Sequence, residues 1–421
     1  MKPNEIVSPV ERVVTISVQT PEISEEDFLD SNQELVELIK TIGGQVVGSC
    51  SQKRHKLDRI AYFGRGKIDE VKRIVAETNA TIVVADDELS YHQTKTMEDV
   101  LGVAVLDRTS VILKIFANNA STREGMLQVE LAGLQYQLPR LVGGYRALSR
   151  QRGGIGTKGP GETQLETDRR TLKKRIKQIQ EEIEHVVQNR KNQRNLRNER
   201  FAPLFSLVGY TNAGKSTLLN ALSGSAVTVK DALFTTLDPT SRRIELPTKR
   251  FAILSDTVGF IQKIPHSLIQ AFRATLDEVV NSQILLLVCD IGNSRFKEHI
   301  ATVTEVLREI GAVEHERIIV FNKIDLTASY DREALLNLFP GGIFISAKTG
   351  EGLNDLKTRM DEVVSRAYKW VEMIIPSNSP LLKEIYRVGR IDFQEWAGEK
   401  VFLKAELPSS FIETVSKYVL K

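Results

Sequence analysis

Short β-branched runs alternate with helical periodicity through the first 110 residues. VVTISVQ (13–19), QVVGS (45–49), TIVVADD (81–87) and VAVLD (103–107) read as strands, while ELVELIK (34–40), IDEVKRIV (68–75) and 90–101 read as helices. Strands spaced by helices imply parallel pairing and an α/β unit. FGRGK (63–67) lacks the full glycine spacing of a phosphate loop and reads as a turn before a helix. Beyond 110 the period changes. Leu127, Leu131, Leu134, Leu138 and Leu141, then Leu172, Ile176, Ile179, Ile183 and Val186, form two a/d seams, an antiparallel helical hairpin packed as core. Pro139 is expected in or near the last turn of the first helix, because a helix interior disfavours it. From Phe201, βα units run to about 370. Pro376 and Pro380 mark a linker, and the tail 381–421 reads as a helix (LLKEIYRVG), a strand at 401–407 and a closing helix. The expected architecture is α/β: an N-terminal α/β subdomain (1–110), a helical hairpin with a Gly-rich basic loop (111–200), a third α/β domain (201–370) and a small α+β domain (371–421).

Composition narrows the functional classes. The chain has 421 residues, 41% of them hydrophobic and 26% charged, which supports several cores and excludes wholesale disorder. Cys50 and Cys289 are the only cysteines, so there is no disulfide framework and no multi-cysteine metal site, and none of the six histidines has a partner at ligand spacing. MKPNEIVSPV lacks the pattern of a secretory signal, and the longest apolar run, ILLLV (284–288), is too short to span a bilayer. The cytoplasm is the expected compartment. A formal charge of +3 means that nucleic-acid affinity must be local, and residues 140–200 supply it with 16 Lys/Arg against 7 Asp/Glu. Within them GGYRALSRQRGGIGTKGPGETQLETDRR (143–170) is too glycine-rich to be regular. Its glycines let backbone approach phosphates, and Tyr145 can stack on a base, so contact with folded RNA is expected. A solvated charged hairpin is the alternative.

The chemistry is concentrated after Phe201. Gly209, Tyr210, Thr211, Asn212, Ala213, Gly214, Lys215 and Ser216 match G-x-x-x-x-G-K-[ST], between the apolar strand FSLV and the helix STLLNAL that carries Thr217. Such a loop wraps α- and β-phosphates in backbone N–H groups. Lys215 reaches the β/γ oxygens, and Ser216 offers its hydroxyl to Mg²⁺. Asp256, Thr257, Val258 and Gly259 follow the strand FAILS. The carboxylate can hold the metal through water, and the Gly259 N–H can touch the γ-phosphate. Asn322, Lys323, Ile324 and Asp325 follow IIVF. Asp325 can accept from guanine N1–H and the exocyclic amine, Lys323 can pack against the base, and Asn322 can tie this strand to the loop. Ser346, Ala347 and Lys348 follow IFI, where a backbone amide can read guanine O6. These motifs in this order make GTP the expected substrate and GTP hydrolysis the expected activity. Between the first two lies LFTTLDPTSRR (233–243), containing Phe234, Thr235, Thr236, Leu237 and Asp238. A loop threonine there must ligate Mg²⁺ and sense the γ-phosphate, and position alone leaves Thr235 and Thr236 in competition.

GYTNAGKSTLLNAL, LFTTLDPT, DTVGFI, NKID and SAKTG resemble the HflX family of ribosome-associated GTPases, within the Era-like P-loop superclass. GGIGTKGPGETQLETDRR resembles that family's distinguishing signature, and the likeness runs over essentially the whole chain. It implies a P-loop GTPase domain preceded by an α/β subdomain with an antiparallel helical hairpin and followed by a small α+β tail. It gives the Mg²⁺ role to Thr236, making Lys215, Thr236 and Gly259 the catalytic set. It also implies docking on the large ribosomal subunit and a role in ribosome dissociation or rescue under stress. Asn212 resembles the P-loop asparagine of potassium-activated GTPases, which implies K⁺ as a second cation.

Ras-like enzymes place a water-orienting glutamine directly after D-x-x-G, whereas this chain has Phe260, either retracted packing or a wedge beside the γ-phosphate. Slow intrinsic hydrolysis, accelerated by a partner, is therefore expected of a chain that needs no dimer. Two alternatives stay open: a GTPase acting on another RNA, in rRNA maturation or tRNA modification, and a non-catalytic RNA-binding protein stabilised by nucleotide.

Overall fold

The computed structural model describes every residue except 1–9, 151–159, 197–201, 225–232, 235, 237–238, 264, 266–267, 269–271, 328–329 and 421. The chain divides into two compact units, one of residues 1–186, 230–238 and 261–274, the other of 187–229, 239–260 and 275–421.

The first unit holds β1 (Arg12–Gln19), α1 (Glu25–Thr41), β2 (Gln45–Lys53), α2 (Arg65–Thr78), β3 (Ile82–Ala85), α3 (Tyr91–Leu101), β4 (Ala104–Asp107), α4 (Arg108–Asn119), α5 (Arg123–Arg150) and α6 (Pro160–Leu196, as far as Val186). Its sheet runs β2-β1-β3-β4, all parallel. Nearly every residue of β1 is buried, as a central parallel strand covered by helices requires. Caps set the helix starts. Ser24 accepts from the Asp27 N–H and stands just ahead of three acidic residues in the first turn of α1, and Ser90 and Gln93 close a capping box. FGRGK is a turn that opens α2.

Two readings of the hairpin need correction. The glycine-rich stretch is helical over 143–150 and again over 160–170, with 151–159 outside the described residues. Each glycine costs about 1 kcal/mol in a helix, and the strong helix formers around these glycines outweigh that. Pro139 lies inside α5, not in its last turn. It faces solvent, where its ring forfeits one backbone bond without meeting packed neighbours. The two helices are antiparallel. Arg123 pairs with Glu182 at 3.2 Å, and Arg175 forks onto Glu130 at 2.8 and 3.0 Å.

The second unit holds β5 (Leu204–Gly209), α7 (Lys215–Ser223), β6 (Thr240–Glu245), β7 (Phe251–Asp256), α8 (Arg273–Val280, from Thr275 on), β8 (Ile284–Asp290), α9 (Phe296–Glu309), β9 (Glu316–Asn322), α10 (Arg332–Leu338), β10 (Ile343–Phe344) and α11 (Leu353–Ser365). The sheet order is β10-β9-β8-β5-β7-β6, parallel except for the edge strand β6. Phe205, Leu207, Leu286, Val320 and Leu356 are among its core residues. The tail adds β11 (Tyr368–Pro376), α12 (Pro380–Val388), β12 (Arg390–Ala397), β13 (Lys400–Pro408) and α13 (Ser409–Val415), with an antiparallel sheet β11-β13-β12. The stretch read as a linker is the end of β11. Pro376 closes that strand and Pro380 occupies the first turn of α12, positions where a missing N–H costs little.

Candidate functional site

β5 lies between β7 and β8, buried almost throughout, and delivers Gly209 to the carboxyl edge of the sheet. From there the loop reaches α7 through two left-handed residues, Asn212 (φ 58°) and Gly214 (φ 92°). A Cβ on Gly214 would stand 2.3 Å from Asn322 Nδ2, so only glycine fits. Lys215 is 7% exposed and arches back over the loop, its Nζ donating to the carbonyls of Gly209 (3.0 Å) and Tyr210 (2.8 Å). Burial pushes its ammonium down to about 8, against the pull of Asp256. The Ser216 hydroxyl donates to Asp256 Oδ2 at 2.6 Å, bringing the loop and the end of β7 together. Thr217 continues α7 behind them.

The segment after β7 clips onto this loop. Thr257 donates its hydroxyl to the Leu207 carbonyl at 2.6 Å. A Cβ on Gly259 would come within 3.1 Å of Lys215 Nζ and closer still to Thr211, so this glycine exists for close approach. Val258 and the Phe260 ring are buried. The Phe260 N–H donates to the Gly209 carbonyl (3.1 Å), and its carbonyl accepts from Thr211 N–H (2.7 Å). That two-bond clip was not foreseen, since backbone pairing leaves no trace in residue type. Tyr210 stacks on the His299 ring with centroids 3.7 Å apart, another partnership the sequence did not signal.

On the far side of the loop, buried Asn322 donates from Nδ2 to the Ala213 carbonyl (2.8 Å), and its Oδ1 accepts from Ala347 N–H (2.9 Å). One side chain thus bolts the phosphate-loop motif to the S-A-K motif. Lys323 is left-handed (φ 68°) and pairs with Asp290 at the end of β8 at 2.7 Å. Ile324 and Asp325 lie in a single 3₁₀ turn, with Asp325 exposed. Ser346 is buried, its carbonyl accepting from Gly350 N–H and its hydroxyl from Thr349 N–H, while Lys348 is exposed. Asp290 could have been found: it ends the apolar strand ILLLVCD as Asp256 ends FAILSD.

The remaining candidates belong to the first unit. Thr235, Leu237 and Asp238 lie outside the described residues, and Thr236 is half-buried. Phe234 is buried and left-handed (φ 56°), its ring 4.7 Å from Phe116, which also meets Phe272 at 4.6 Å. Asn119 donates to the Phe234 carbonyl at 2.7 Å, and Leu233 N–H donates to Thr41 Oγ1 at 3.3 Å. Past Phe260, Gln262 donates to Asp30 at 3.1 Å, and Lys263 pairs with Asp87 (2.9 Å) and with Asp86. Asp86, 1% exposed at the end of β3, also binds Arg108 (2.7 Å) and the Ser31 hydroxyl (2.7 Å). Burial would raise the Asp86 carboxyl, but Arg108 and then Lys263 outweigh it and hold it below the usual carboxylate value. The sequence reading missed this cluster, although Asp86-Asp87 at a strand end was visible.

The donor chemistry around Ser216 fits a hard divalent cation, because a hydroxyl and a carboxylate oxygen are what Mg²⁺ selects. Among the described residues no three His, Cys, Asp or Glu gather around one point, so such an ion would rely on few protein oxygens. Asn212 carries an amide oxygen suited to K⁺. Among the described residues no helix is long and apolar enough to cross a membrane.

A mostly parallel sheet with G-x-x-x-x-G-K-S after β5, D-x-x-G after β7 and N-K-x-D after β9 defines a GTP-binding P-loop GTPase. Residues 30–117 match the family described as GTP-binding GTPase N-terminal, 119–197 the GTP-binding GTPase middle region, and 205–323 the 50S ribosome-binding GTPase family. The chain is 42% identical to GTPase HflX of Caldanaerobacter subterraneus subsp. tengcongensis, covering 99% of this chain and 95% of that protein. It is 40% identical to GTPase HflX of Escherichia coli K12, covering 91% of each. A solved GTP-binding protein of Sulfolobus solfataricus in complex with GDP shares 23% identity over 85% of this chain and 99% of its own, with a TM-score of 0.46. The chain belongs to the HflX family of GTPases.

Proposed function

We propose that this GTPase is a conformational switch acting on the large (50S) ribosomal subunit in the cytoplasm, as a monomer, in ribosome dissociation or rescue under stress. The match of residues 205–323 to a 50S ribosome-binding GTPase family carries this reading. The basic segment 140–200 supports it as the rRNA-contacting element. The working modules are 1–110, 111–200, 201–370 and 371–421.

The backbone of Gly209–Ser216 holds the α- and β-phosphates, Lys215 meets the β/γ oxygens, and the Gly259 amide meets the γ-phosphate. Asp325 takes the guanine edge, Lys323 packs on the base, and Ser346–Lys348 read O6. Ser216 and Thr236 would hold Mg²⁺, which when bound supplies positive charge to the phosphates. Asn212 would hold K⁺, and equal hydrolysis rates in K⁺ and Na⁺ buffers would remove that part of the reading. Phe260 cannot orient water, so intrinsic hydrolysis is slow. The difference in binding energy at the γ-phosphate between the GTP and GDP states shifts how the N-terminal module engages RNA.

The test is steady-state hydrolysis with and without purified large subunits, with ATP as control. Strong, GTP-selective stimulation is expected. Slow hydrolysis unmoved by subunits would point to a different RNA or to a binding-only role.

A further inference from the structure

We propose that the cavity between the edge strand β6 and the C-terminal end of α12 binds one nucleotide of single-stranded RNA. The site lies wholly within the second unit and does not depend on the ribosome assignment. It measures about 320 Å³ and is lined by Arg242, Arg243, Lys249, Arg250, Arg387 and Arg390, with no Asp or Glu in its wall.

The charges divide into a neutralised part and an open part. Arg250, 8% exposed, is answered by Asp361 (3.0 Å) and Glu406 and lies 4.7 Å over the Tyr368 ring. Lys249 pairs with Glu245 at 2.8 Å. Among the described residues no carboxylate stands within ion-pair distance of Arg242, Arg243, Arg387 or Arg390. Gathering unanswered like charges at one concavity opposes folding, and a polyanion relieves that repulsion.

The ring faces decide which polyanion. Tyr386 is 41% exposed at the rim, and its hydroxyl donates to Gln394 Oε1 at 2.7 Å, which fixes the ring. The Arg243 guanidinium is already parked 3.5 Å over Phe251. Planar guanidinium forks match phosphate oxygens bidentately, and an exposed, fixed tyrosine is a stacking platform for an unpaired base. The volume sits at the low end of the roughly 300–1,000 Å³ of ligand pockets, which suits one nucleotide and excludes a duplex. An acidic peptide would use the arginines and leave the rings idle.

The experiment uses the full chain with hexauridylate carrying one 4-thiouridine, photocrosslinked and mapped by mass spectrometry, with affinity followed by fluorescence anisotropy. Crosslinks are expected on peptides holding Phe251, Tyr368 or Tyr386. Arg387→Ala with Arg390→Ala should weaken binding at least tenfold. It should also flatten the salt dependence by about 1 to 1.5, from about 0.7 per lost single-strand phosphate contact. If that variant misfolds by circular dichroism, Tyr386→Ala decides through loss of the crosslink. Crosslinks confined to 140–200 with unchanged affinity would overturn the proposal. So would equal competition by hexaglutamate (an acidic-peptide site) or by uridine monophosphate (a free-nucleotide site).

Discussion

Asn322→Ala tests whether the two halves of the nucleotide site are held together by one side chain. The substitution removes the donor to the Ala213 carbonyl and the acceptor for Ala347 N–H, at 2.8 and 2.9 Å, and both partners are buried backbone groups. Stranding a buried polar group costs about 1–3 kcal/mol, and the space left by the amide can admit water, which favours the low end. The total is about 2–3 kcal/mol. If nucleotide must restore the native loop in order to bind, that sum corresponds to a roughly 30- to 140-fold rise in Kd, at about 1.4 kcal/mol per factor of ten. Titration with fluorescent GDP gives Kd, and urea unfolding shows how much of the loss falls on stability. A double-mutant cycle with Gly214→Ala sharpens the test. The new Cβ would meet Asn322 Nδ2 at 2.3 Å, whereas in the Asn322→Ala background that clash is absent and only the left-handed backbone is strained. The double variant should therefore be less impaired than the sum of the singles. A Kd within threefold of wild type with unchanged unfolding, or strict additivity, would refute the reasoning.

Other expectations concern the ion cluster of the first unit. Lys263→Ala removes charge-assisted bonds to Asp86 and Asp87 but leaves Arg108 on Asp86, so a loss of about 1–2 kcal/mol is expected, the lower part of the charged-bond range because Lys263 is partly exposed. Urea unfolding reads the loss, and hydrogen exchange should rise around residue 263. Arg108→Met strips the more deeply buried partner and should cost about 3–5 kcal/mol, enough to separate it clearly from Lys263→Ala. The Asp86 carboxyl is held below its ordinary value, so its contribution is present above about pH 4 and is lost as pH falls through the lowered folded value. In Lys263→Ala the folded value rises toward the ordinary one, so the contribution is smaller and is exhausted at higher pH; an acid-unfolding midpoint that does not move would separate Asp86 from Lys263.

What the sequence disclosed and what it hid follow from where each signal resides. The parallel strands and the phosphate loop were legible because local rules write them: β-branched runs for β5 and β8, and glycines where backbone must approach a ligand. Helix α4 (RTSVILKIFANN) was hidden, because its β-branched interior mimics a strand and only its Asp107 cap marks it as a helix. β12 was hidden too: RIDFQEWA has an exposed face, a bulge beside Ile391 and no apolar alternation. The helical course of 143–150 and 160–170 was hidden because their glycines lower helix propensity, which is only a weak prior.

The partnerships of the loops flanking the nucleotide motifs were hidden for a deeper reason. Nothing in LFTTLDPT announces that Phe234 will pack on Phe116, and nothing in FIQK announces that Lys263 will answer Asp86. These are tertiary choices between residues more than a hundred positions apart, and a single sequence carries no term for them. The backbone of Phe260 is bonded to Gly209 and Thr211, and Lys263 follows three positions later with its charge committed to the carboxylates at the end of β3.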